Sequence, residues 1–345
     1  MRAEIRERYG ELLEPLSKDN MVGEMTEKEL LLGRTLKRIR EHRQISLEDL
    51  AEGICPVSEL SAMEKGTKVN LLLTSAYLLR MGKSVNKFEF YSTNTEYEQQ
   101  RKRDQIVQTW KNGELDRAEA LLEEYRRDYR TRLGGVWDNW QKLCIQLCRD
   151  ILPENQEKLW DALRTRKLYF IQEEWDYLWE LVKYYERSGN VERTREVYAL
   201  MYQNCMVAGV FLPQDGKGMD EERKLEILPM LCLQYGRFEH AQGRAMEATQ
   251  VVNDAINLLL RNMRMDYLYE LLEERLSIHI QMWERTKQEN FYRGLVEDAQ
   301  YLAALDFLNE RDIAARRRFR WLKEEMKWES TILDNLFTDQ EKPWV

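Results

Sequence analysis

Helix breakers and cysteines are scarce in this chain of 345 residues, which has only 6 prolines, 16 glycines and 5 cysteines. Proline and glycine are the least favourable residues inside a helix, so their scarcity predicts a mostly helical protein and argues against collagen-like, disordered and all-β classes. An odd number of cysteines without a CxxC pair does not form a disulfide framework in a chain of this length.

Long apolar runs and metal-ligand clusters are also missing. The longest uncharged stretch, Val197 to Gln214, has 18 residues and contains Gln203, Asn204 and Pro213, so it falls short of the ~20 predominantly apolar residues of a membrane-spanning helix. The first residues, Met1-Arg-Ala-Glu-Ile-Arg, are too charged for a secretory signal. We therefore expect a cytoplasmic protein that does not associate with a membrane. The 3 histidines have no cysteine or acid at metal-ligand spacing, so neither a metal nor another cofactor is expected.

The chain divides into three parts by pattern. Residues 1–25 are a short charged extension, and residues 26–88 carry four short apolar repeats of helical period that end at tight breaks. Ser46 has the position of a helix N-cap and Pro56 suits the first turn of the next helix. Gly53, Gly66 and Gly82 follow the second, third and fourth apolar patterns. This part is therefore predicted to be a small domain of four to five helices.

Residues 89–345 form a second domain of long amphipathic helices. Three of its breaks, at Gly113, Gly189 and Gly243, share one pattern, in which an aromatic residue precedes the glycine and small or apolar residues follow at +2, +5 and +8. This pattern predicts a helix that ends at glycine and a second helix that packs back on it. Degenerate helical hairpins in tandem indicate an α-solenoid, so the predicted fold class is all-α.

Both domains resemble known families. Residues 33–84 resemble the Cro/C1-type (Xre family) helix-turn-helix domain through Leu50-Ala51, Leu60-Ser-Ala-Met-Glu-Lys-Gly66 and Gly82-Lys-Ser84. The Gly-x-x-x-x-Ala breaks resemble tetratricopeptide repeats. Together they are similar to peptide-responsive quorum-sensing regulators of Gram-positive bacteria. The resemblance implies a dimeric transcription regulator that binds a double-stranded DNA operator and senses a signalling peptide or another small ligand. The sequence shows no catalytic constellation, so no enzymatic activity is expected.

A helix-turn-helix domain lays one helix in the major groove while its neighbours contact phosphates. Here that helix would be Pro56–Lys65, with Val57, Leu60 and Met63 facing the core. The predicted base contacts are Ser58, Glu59, Ala62 and Lys65. The predicted phosphate contacts are Arg34, Lys37, Arg38, Arg43 and Lys68. The resemblance further implies an ion pair between Arg40 and Glu64.

Two positions depart from the family pattern. Leu47 stands where the second helix usually opens with a glutamine that binds the phosphate backbone, and Ala62 stands where an Arg, Gln or Lys is usual. Residues 1–90 carry 15 basic and 15 acidic side chains, so the whole net charge of −8 belongs to the remaining residues. An alternative function is therefore a protein-interaction solenoid whose helix-turn-helix is vestigial and no longer binds an operator.

Aromatic residues are concentrated in the repeats, where nine of the ten tryptophans lie between Trp110 and Trp328. Such residues can form the core between repeats or the wall of a concave ligand groove. The candidate groove residues are Trp175, Trp179, Tyr198, Tyr202 and Tyr235. At the C-terminal end, apolar residues between Asp298 and Phe337 predict a surface for dimerisation, because a terminal repeat exposes one face unless it is covered.

Overall fold

The computed structural model describes residues 32–34, 36–41, 43–66, 71–83, 94–129, 132–166, 168–206, 219 and 221–328. Every regular element within these ranges is a helix, which confirms the all-α prediction for this part of the chain. The first helix, α1, comprises residues 32–34 and 36–41. The others are α2 (Leu47–Ala51), α3 (Val57–Glu64), α4 (Leu71–Arg80), α5 (Asn94–Lys111), α6 (Leu115–Asp128), α7 (Arg132–Cys148), α8 (Gln156–Arg164), α9 (Gln172–Arg187), α10 (Val191–Met206), α11 (Glu221–Ala241), α12 (Ala245–Arg261), α13 (Leu268–Thr286), α14 (Glu289–Leu308) and α15 (Asp312–Glu324).

Helices α1 to α4, which we call the head, surround a small apolar core. Its fully buried members include Leu36, Leu50, Leu60 and Met63. The Ser46 side chain caps α2 by accepting a hydrogen bond from the Asp49 backbone N–H at 3.0 Å, as its position in the sequence predicts. The four short apolar patterns of the head thus form one packed group of helices.

Contacts between Cα atoms divide the chain into two compact units. The first unit comprises Met1–Val191 and Met206–Asp220, and the second comprises Glu192–Cys205 and Glu221–Val345. The head shares a unit with the first repeats because Leu168 and Ile171, which precede α9, are buried in the core of the head. The sequence pattern marks where the helices change in length, whereas the packing joins both sides of that point.

The three glycine breaks have the predicted geometry. Gly113, Gly189 and Gly243 adopt φ angles of 83°, 69° and 76°, which lie in the left-handed region that glycine occupies without steric cost. The small residues five positions later, which are Ala118, Thr194 and Ala248, are fully buried.

Other helix ends turn without glycine. Asp150, Met263, Lys287 and Glu310 have φ angles between 52° and 59°, which non-glycine residues rarely adopt. These turns separate α7 from α8, α12 from α13, α13 from α14 and α14 from α15. The glycine pattern therefore identifies only some of the repeats. Among the described helices, none is both long and apolar enough to cross a membrane.

Candidate DNA-binding helix and ligand-sensing repeats

Helix α3 is held in the head by its apolar face and by one carboxylate. Leu60 and Met63 are fully buried, and Val57 packs partly buried against the same core. At the end of the helix Glu64 accepts hydrogen bonds from Arg40 Nε at 2.6 Å and from Arg40 Nη2 at 2.8 Å. This bidentate contact confirms the ion pair between α1 and α3.

Tyr77 on α4 adds a third element to this contact. Its hydroxyl donates to Glu64 Oε1 at 2.5 Å and also lies 3.2 Å from the Leu36 carbonyl oxygen. Burial, together with the Glu64 carboxylate, raises the pKa of Tyr77 above its usual range. The hydrogen bond to Glu64 likewise raises the pKa of Arg40. Glu64 thus ties three helices together, which fixes the orientation of the predicted groove helix.

The predicted base-contact residues share one face of α3. Ser58 and Lys65 are exposed, and Glu59 and Ala62 are half-buried. Their spacing places Ser58, Ala62 and Lys65 in line along the helix. One carboxylate oxygen of Glu59, Oε2, is shielded from solvent and has no hydrogen-bond partner among the described residues. The face therefore presents a hydroxyl, a methyl group and an ammonium group.

The predicted phosphate contacts do not all lie on the surface. Arg34, Lys37 and Arg38 on α1 are exposed, and Lys37 forms an i,i+4 pair with Glu41 at 3.7 Å. Lys68 lies outside the described residues.

Arg43 differs from the other candidates because it is only 6% exposed and its Nη1 donates to the Met81 carbonyl oxygen. The chain turns at Gln44, which has a φ of 52°, and Arg43 reaches the end of α4 instead of solvent. We therefore leave Arg43 out of the candidate interface. Leu47, which stands where the family usually has a glutamine, packs against the head core.

Two of the groove candidates belong to the first unit. Trp175 is 2% exposed and its ring meets Phe170 edge-on at 5.7 Å between centroids, so it is a core residue. Trp179, one turn further along α9, is half-buried. Only Trp179 of this pair retains a partly exposed surface for a ligand.

The three tyrosine candidates belong to the second unit, where the structure brings them together. Tyr198 and Tyr235 stack with centroids 5.2 Å apart and an interplanar angle of 13°, and Tyr202 meets Tyr235 at 6.1 Å. Tyr198 is buried, whereas Tyr202 and Tyr235 are half-buried. The Tyr202 hydroxyl donates to Asp254 on α12. Burial, with a smaller effect of Glu239, raises the pKa of Tyr235 to about 12.

Asp254 is the member of this cluster that sequence reasoning missed. It is half-buried and also lies 3.3 Å from the side-chain amide of Gln250 on the same helix. A single aspartate on an amphipathic helix carries no signal that distinguishes it from a solvated one. Its role depends on the tyrosine of α10 that contacts it.

The cysteines of α7 behave as apolar residues. Cys144 is fully buried, and the Cys148 thiol donates to Glu180 Oε2 at 3.3 Å. Burial and the neighbouring Glu180 carboxylate raise the pKa of Cys148 to about 12. Burial also raises the pKa of Cys144. Within the described ranges, no three His, Cys, Asp or Glu side chains are grouped as metal ligands.

Comparisons with known proteins give similarity in structure alone. No protein-family model and no curated protein matches the chain. The chain is similar to PlcR of Bacillus thuringiensis, solved in complex with the peptide PapR7 and DNA, with 16% identity over 82% of this chain and 99% of that chain and a TM-score of 0.39.

Two streptococcal proteins are similar to the same degree. The SHP pheromone receptor Rgg2 of Streptococcus dysgalactiae has 14% identity over 84% of this chain and 99% of that chain, with a TM-score of 0.38. The apo form of the competence regulator ComR of Streptococcus vestibularis has 14% identity over 85% of this chain and 97% of that chain, with a TM-score of 0.38.

Proposed function

We propose that this protein is a transcription regulator whose head binds a DNA operator and whose repeats sense a small ligand such as a peptide. The observation that carries the proposal is the exposed face of α3, where Ser58 and Lys65 flank Ala62. The buried contacts of Arg40 and Glu64 hold that helix in one orientation. A helix that is fixed by its core face and open on the other is what major-groove recognition requires.

The side chains of the head divide into two roles. Ser58 can hydrogen-bond base edges and the Ala62 methyl group can meet a thymine methyl, so these residues would supply sequence preference. Arg34, Lys37 and Arg38 are exposed on α1, which Arg40 ties to α3. Contacts from such cations to phosphates add affinity without sequence information.

Dimerisation is part of the proposal because one short helix reads few base pairs and two linked heads raise affinity. The described C-terminal helices offer an apolar surface for it. Leu308 is 72% exposed and Ile313 is 77% exposed, on either side of the turn between α14 and α15. Sedimentation of the full-length protein at micromolar concentration is expected to give twice the monomer mass, and a monomer mass would contradict this part.

The alternative is a protein-interaction solenoid with a vestigial head. Ala62 favours it, because a methyl group cannot donate or accept a hydrogen bond where the family carries a polar side chain. A selection experiment separates the two functions. Full-length protein is incubated with random DNA duplexes at low salt, and bound duplexes are sequenced. Enrichment of a two-fold-related motif supports the regulator, and the absence of any enriched motif supports the alternative.

Two variants test the roles of the head residues. Arg38→Ala is expected to weaken binding to all sequences alike and to reduce the salt slope by about 1, because one phosphate contact is lost. Ser58→Ala is expected to change base preference at one position of each half-site. Arg293→Ala removes an exposed arginine of α14, which pairs with Glu289, and is expected to change neither property.

Ligand sensing is assigned to the tyrosine cluster with Asp254. Aromatic side chains offer a large contact area at low entropic cost, and a net charge of −8 favours neutral or cationic ligands. A ligand can change DNA binding only if it binds two conformations of the repeats with different affinity.

The probe for the ligand site is a random heptapeptide library, from which binders are measured by calorimetry. Asp254→Asn is expected to weaken cationic binders by about tenfold or more, because a charge-assisted contact contributes about 1.5–3 kcal/mol. Asp266→Asn is the matched control, since that aspartate is exposed and pairs only locally with Arg264. Equal affinity of wild type and Asp254→Asn for every binder would place the ligand site elsewhere.

A further inference from the structure

A cluster of charges, buried except at Glu52, joins the head to the first repeats. Arg80, the last residue of α4, donates from Nη2 to Glu174 Oε1 at 3.1 Å and to the Glu52 carbonyl oxygen at 3.0 Å. The side chains of Arg80 and Glu174 are both 0% exposed, although they lie 94 positions apart in the sequence. This ion pair therefore crosses from the head to the start of α9 without contact with water.

A second arginine completes the cluster from the side of the repeats. Arg166 donates from Nη2 to the same Glu174 oxygen at 2.8 Å, and its Nη1 lies 3.0 Å from Glu52 Oε1. The other Glu174 oxygen accepts the Ile171 backbone N–H at 3.0 Å. The cluster thus contains two residues of the head, Glu52 and Arg80, and two of the repeats, Arg166 and Glu174. Both oxygens of the Glu174 carboxylate accept hydrogen bonds.

Close packing surrounds these charges. The Tyr169 backbone N–H donates to the Arg80 carbonyl oxygen at 3.2 Å. The Tyr169 ring lies against Gly82 so closely that a Cβ placed there would be 2.4 Å from it. Leu168 and Ile171 are part of the head core. Apolar contacts and a backbone hydrogen bond therefore surround the ion pair.

Such a cluster allows few alternative geometries. Moving a charge out of water costs several kcal/mol, and only well-aligned partners offset this cost. Burial lowers the pKa of Arg80, and the Glu174 carboxylate opposes that effect. A rotation of the head on the repeats that separates Arg80 from Glu174 would remove the charged partner of each side chain. The joint is therefore stiff, in contrast to a contact made by apolar side chains alone.

We propose that Glu52, Arg80, Arg166 and Glu174 are positioning residues that fix the direction of α3 relative to the repeats and so set the spacing between half-sites that the dimer accepts. This inference rests on the proposed function. In a dimer that associates through other helices, a stiff joint gives one distance between the two groove helices, and half-site spacing follows that distance. A loose joint would accept several spacings.

The test compares spacer preference in full-length variants. Glu174→Gln keeps the shape of the side chain and removes the charge between the two arginines. Arg166→Gln is milder, because it leaves the pair of Arg80 and Glu174 in place. Asp176→Asn is the matched control on the same helix, since that carboxylate pairs with Lys111 at 3.1 Å and not with the head. Thermal unfolding is recorded for each, and Arg166→Gln replaces Glu174→Gln if the latter does not fold.

Duplexes with the selected half-sites at different separations are the probe. Wild type and Asp176→Asn are expected to prefer one spacer by about tenfold or more, which corresponds to 1.4 kcal/mol. In Glu174→Gln that preference is expected to fall below about threefold, while the half-site sequence stays the same. Hydrogen exchange of the Tyr169 amide and of residues 78–83 is expected to accelerate in Glu174→Gln but not in the control.

The outcomes separate this inference from the proposed function. If wild type enriches no motif, the proposed function and the positioning role are both overturned. If wild type enriches a motif and Glu174→Gln keeps the same spacer preference, only the positioning role is overturned. Unchanged hydrogen exchange in Glu174→Gln would overturn the stiff joint itself, since this measurement requires no DNA.

Discussion

Helices α11 and α12 are held together differently from helices α13 to α15, although both groups belong to the second unit. Between α11 and α12 the contact is made by small residues, among them Gly236 and Ala248, and the turn is at Gly243 with a φ of 76°. The next three helices turn without glycine and bury two carboxylates, Asp298 and Asp306, at 0% exposure. Short turns join consecutive helices in both groups. Small residues fill the contact between α11 and α12, with one buried carboxylate, Glu239, near its end, whereas α13 to α15 bury two carboxylates in the contacts between their helices.

Asp298 shows how the second kind of contact is satisfied. Arg275 on α13 donates to its Oδ1 from Nε at 2.9 Å and from Nη2 at 2.5 Å. His279 Nδ1 lies 2.9 Å from the other oxygen. Gly294 on α14 leaves room for the His279 ring, because a Cβ there would lie 2.6 Å from it. Gly294 therefore makes room for the histidine that contacts Asp298.

Asp306, about two helical turns further along α14, is likewise a buried carboxylate that accepts hydrogen bonds from neighbouring helices. It accepts hydrogen bonds from the Tyr269 hydroxyl at 2.8 Å and from Arg318 Nε at 2.9 Å. Arg318 on α15 also contacts Glu273 on α13 at 2.6 Å. One arginine therefore links three helices. The comparison indicates that contacts of this kind depend on every partner being present, whereas small-residue contacts depend on the space between two backbones.

The largest expected effect comes from removing a buried carboxylate. Asp298→Ala leaves the Arg275 guanidinium without its main partner in a nearly solvent-free contact. Breaking a buried ion pair by removing one partner typically costs about 3–5 kcal/mol, and the free energy of unfolding should fall by that order. Urea unfolding followed by circular dichroism measures it.

Glu297→Ala is the control for this prediction, because Glu297 is the exposed neighbour of Asp298 on α14. It is expected to change the free energy of unfolding by less than about 0.5 kcal/mol. An equal, small effect of both substitutions would show that the buried charges of α13 to α15 are not what holds these helices.

The contrast also explains which parts of the fold the sequence predicts. Gly243 and Ala248 are recognisable because a left-handed turn and a close approach of two helices each restrict the residue type. The N-cap at Ser46 is recognisable for a similar reason, since its hydroxyl replaces a missing backbone partner. The turn at Lys287, with a φ of 55°, and the burial of Asp298 have no such local cause. From the sequence alone, an aspartate in a helix is predicted to be solvent-exposed, because its partner on another helix is not known.

The candidate sites follow the same rule. The face of α3 is predictable because its helical period alone separates Ser58 from the buried Leu60. The burial of Arg43 and of Trp175 depends on what other segments place around them, which no local pattern reveals. The joint between the head and the repeats is the extreme case, because Arg80 and Glu174 lie 94 positions apart.

The second prediction concerns the small-residue contact between α11 and α12. Gly236→Ala adds a methyl group that would lie 2.5 Å from Val252 Cγ2. Alanine is the better helix former by up to about 1 kcal/mol, but overpacking a well-filled contact costs about 1–3 kcal/mol. A net destabilisation of about 1 kcal/mol in urea unfolding is therefore expected.

A double-mutant cycle identifies the cause of that loss. Val252→Ala makes room beside position 236, so the double variant Gly236→Ala/Val252→Ala should be more stable than the sum of the single changes predicts by about 1 kcal/mol. Strict additivity of the two substitutions would mean that α11 and α12 can separate without cost at this point, and that small residues do not hold this contact.

At neutral pH the smallest effect is expected from Tyr235→Phe on α11, and a difference from wild type should appear only at high pH. Burial and the nearby Glu239 raise the pKa of Tyr235 to about 12 in the folded protein. In the unfolded chain a tyrosine has its ordinary pKa of about 10. A raised pKa means that the folded state favours the protonated phenol. The resulting stability is complete below about pH 10 and is lost as the pH rises toward about 12.

Wild type should therefore lose more stability than Tyr235→Phe between these values, measured as the difference in urea midpoint. Tyr301→Phe, which changes a ring that is 48% exposed, should follow wild type, and a parallel pH dependence of wild type and Tyr235→Phe would contradict the raised pKa.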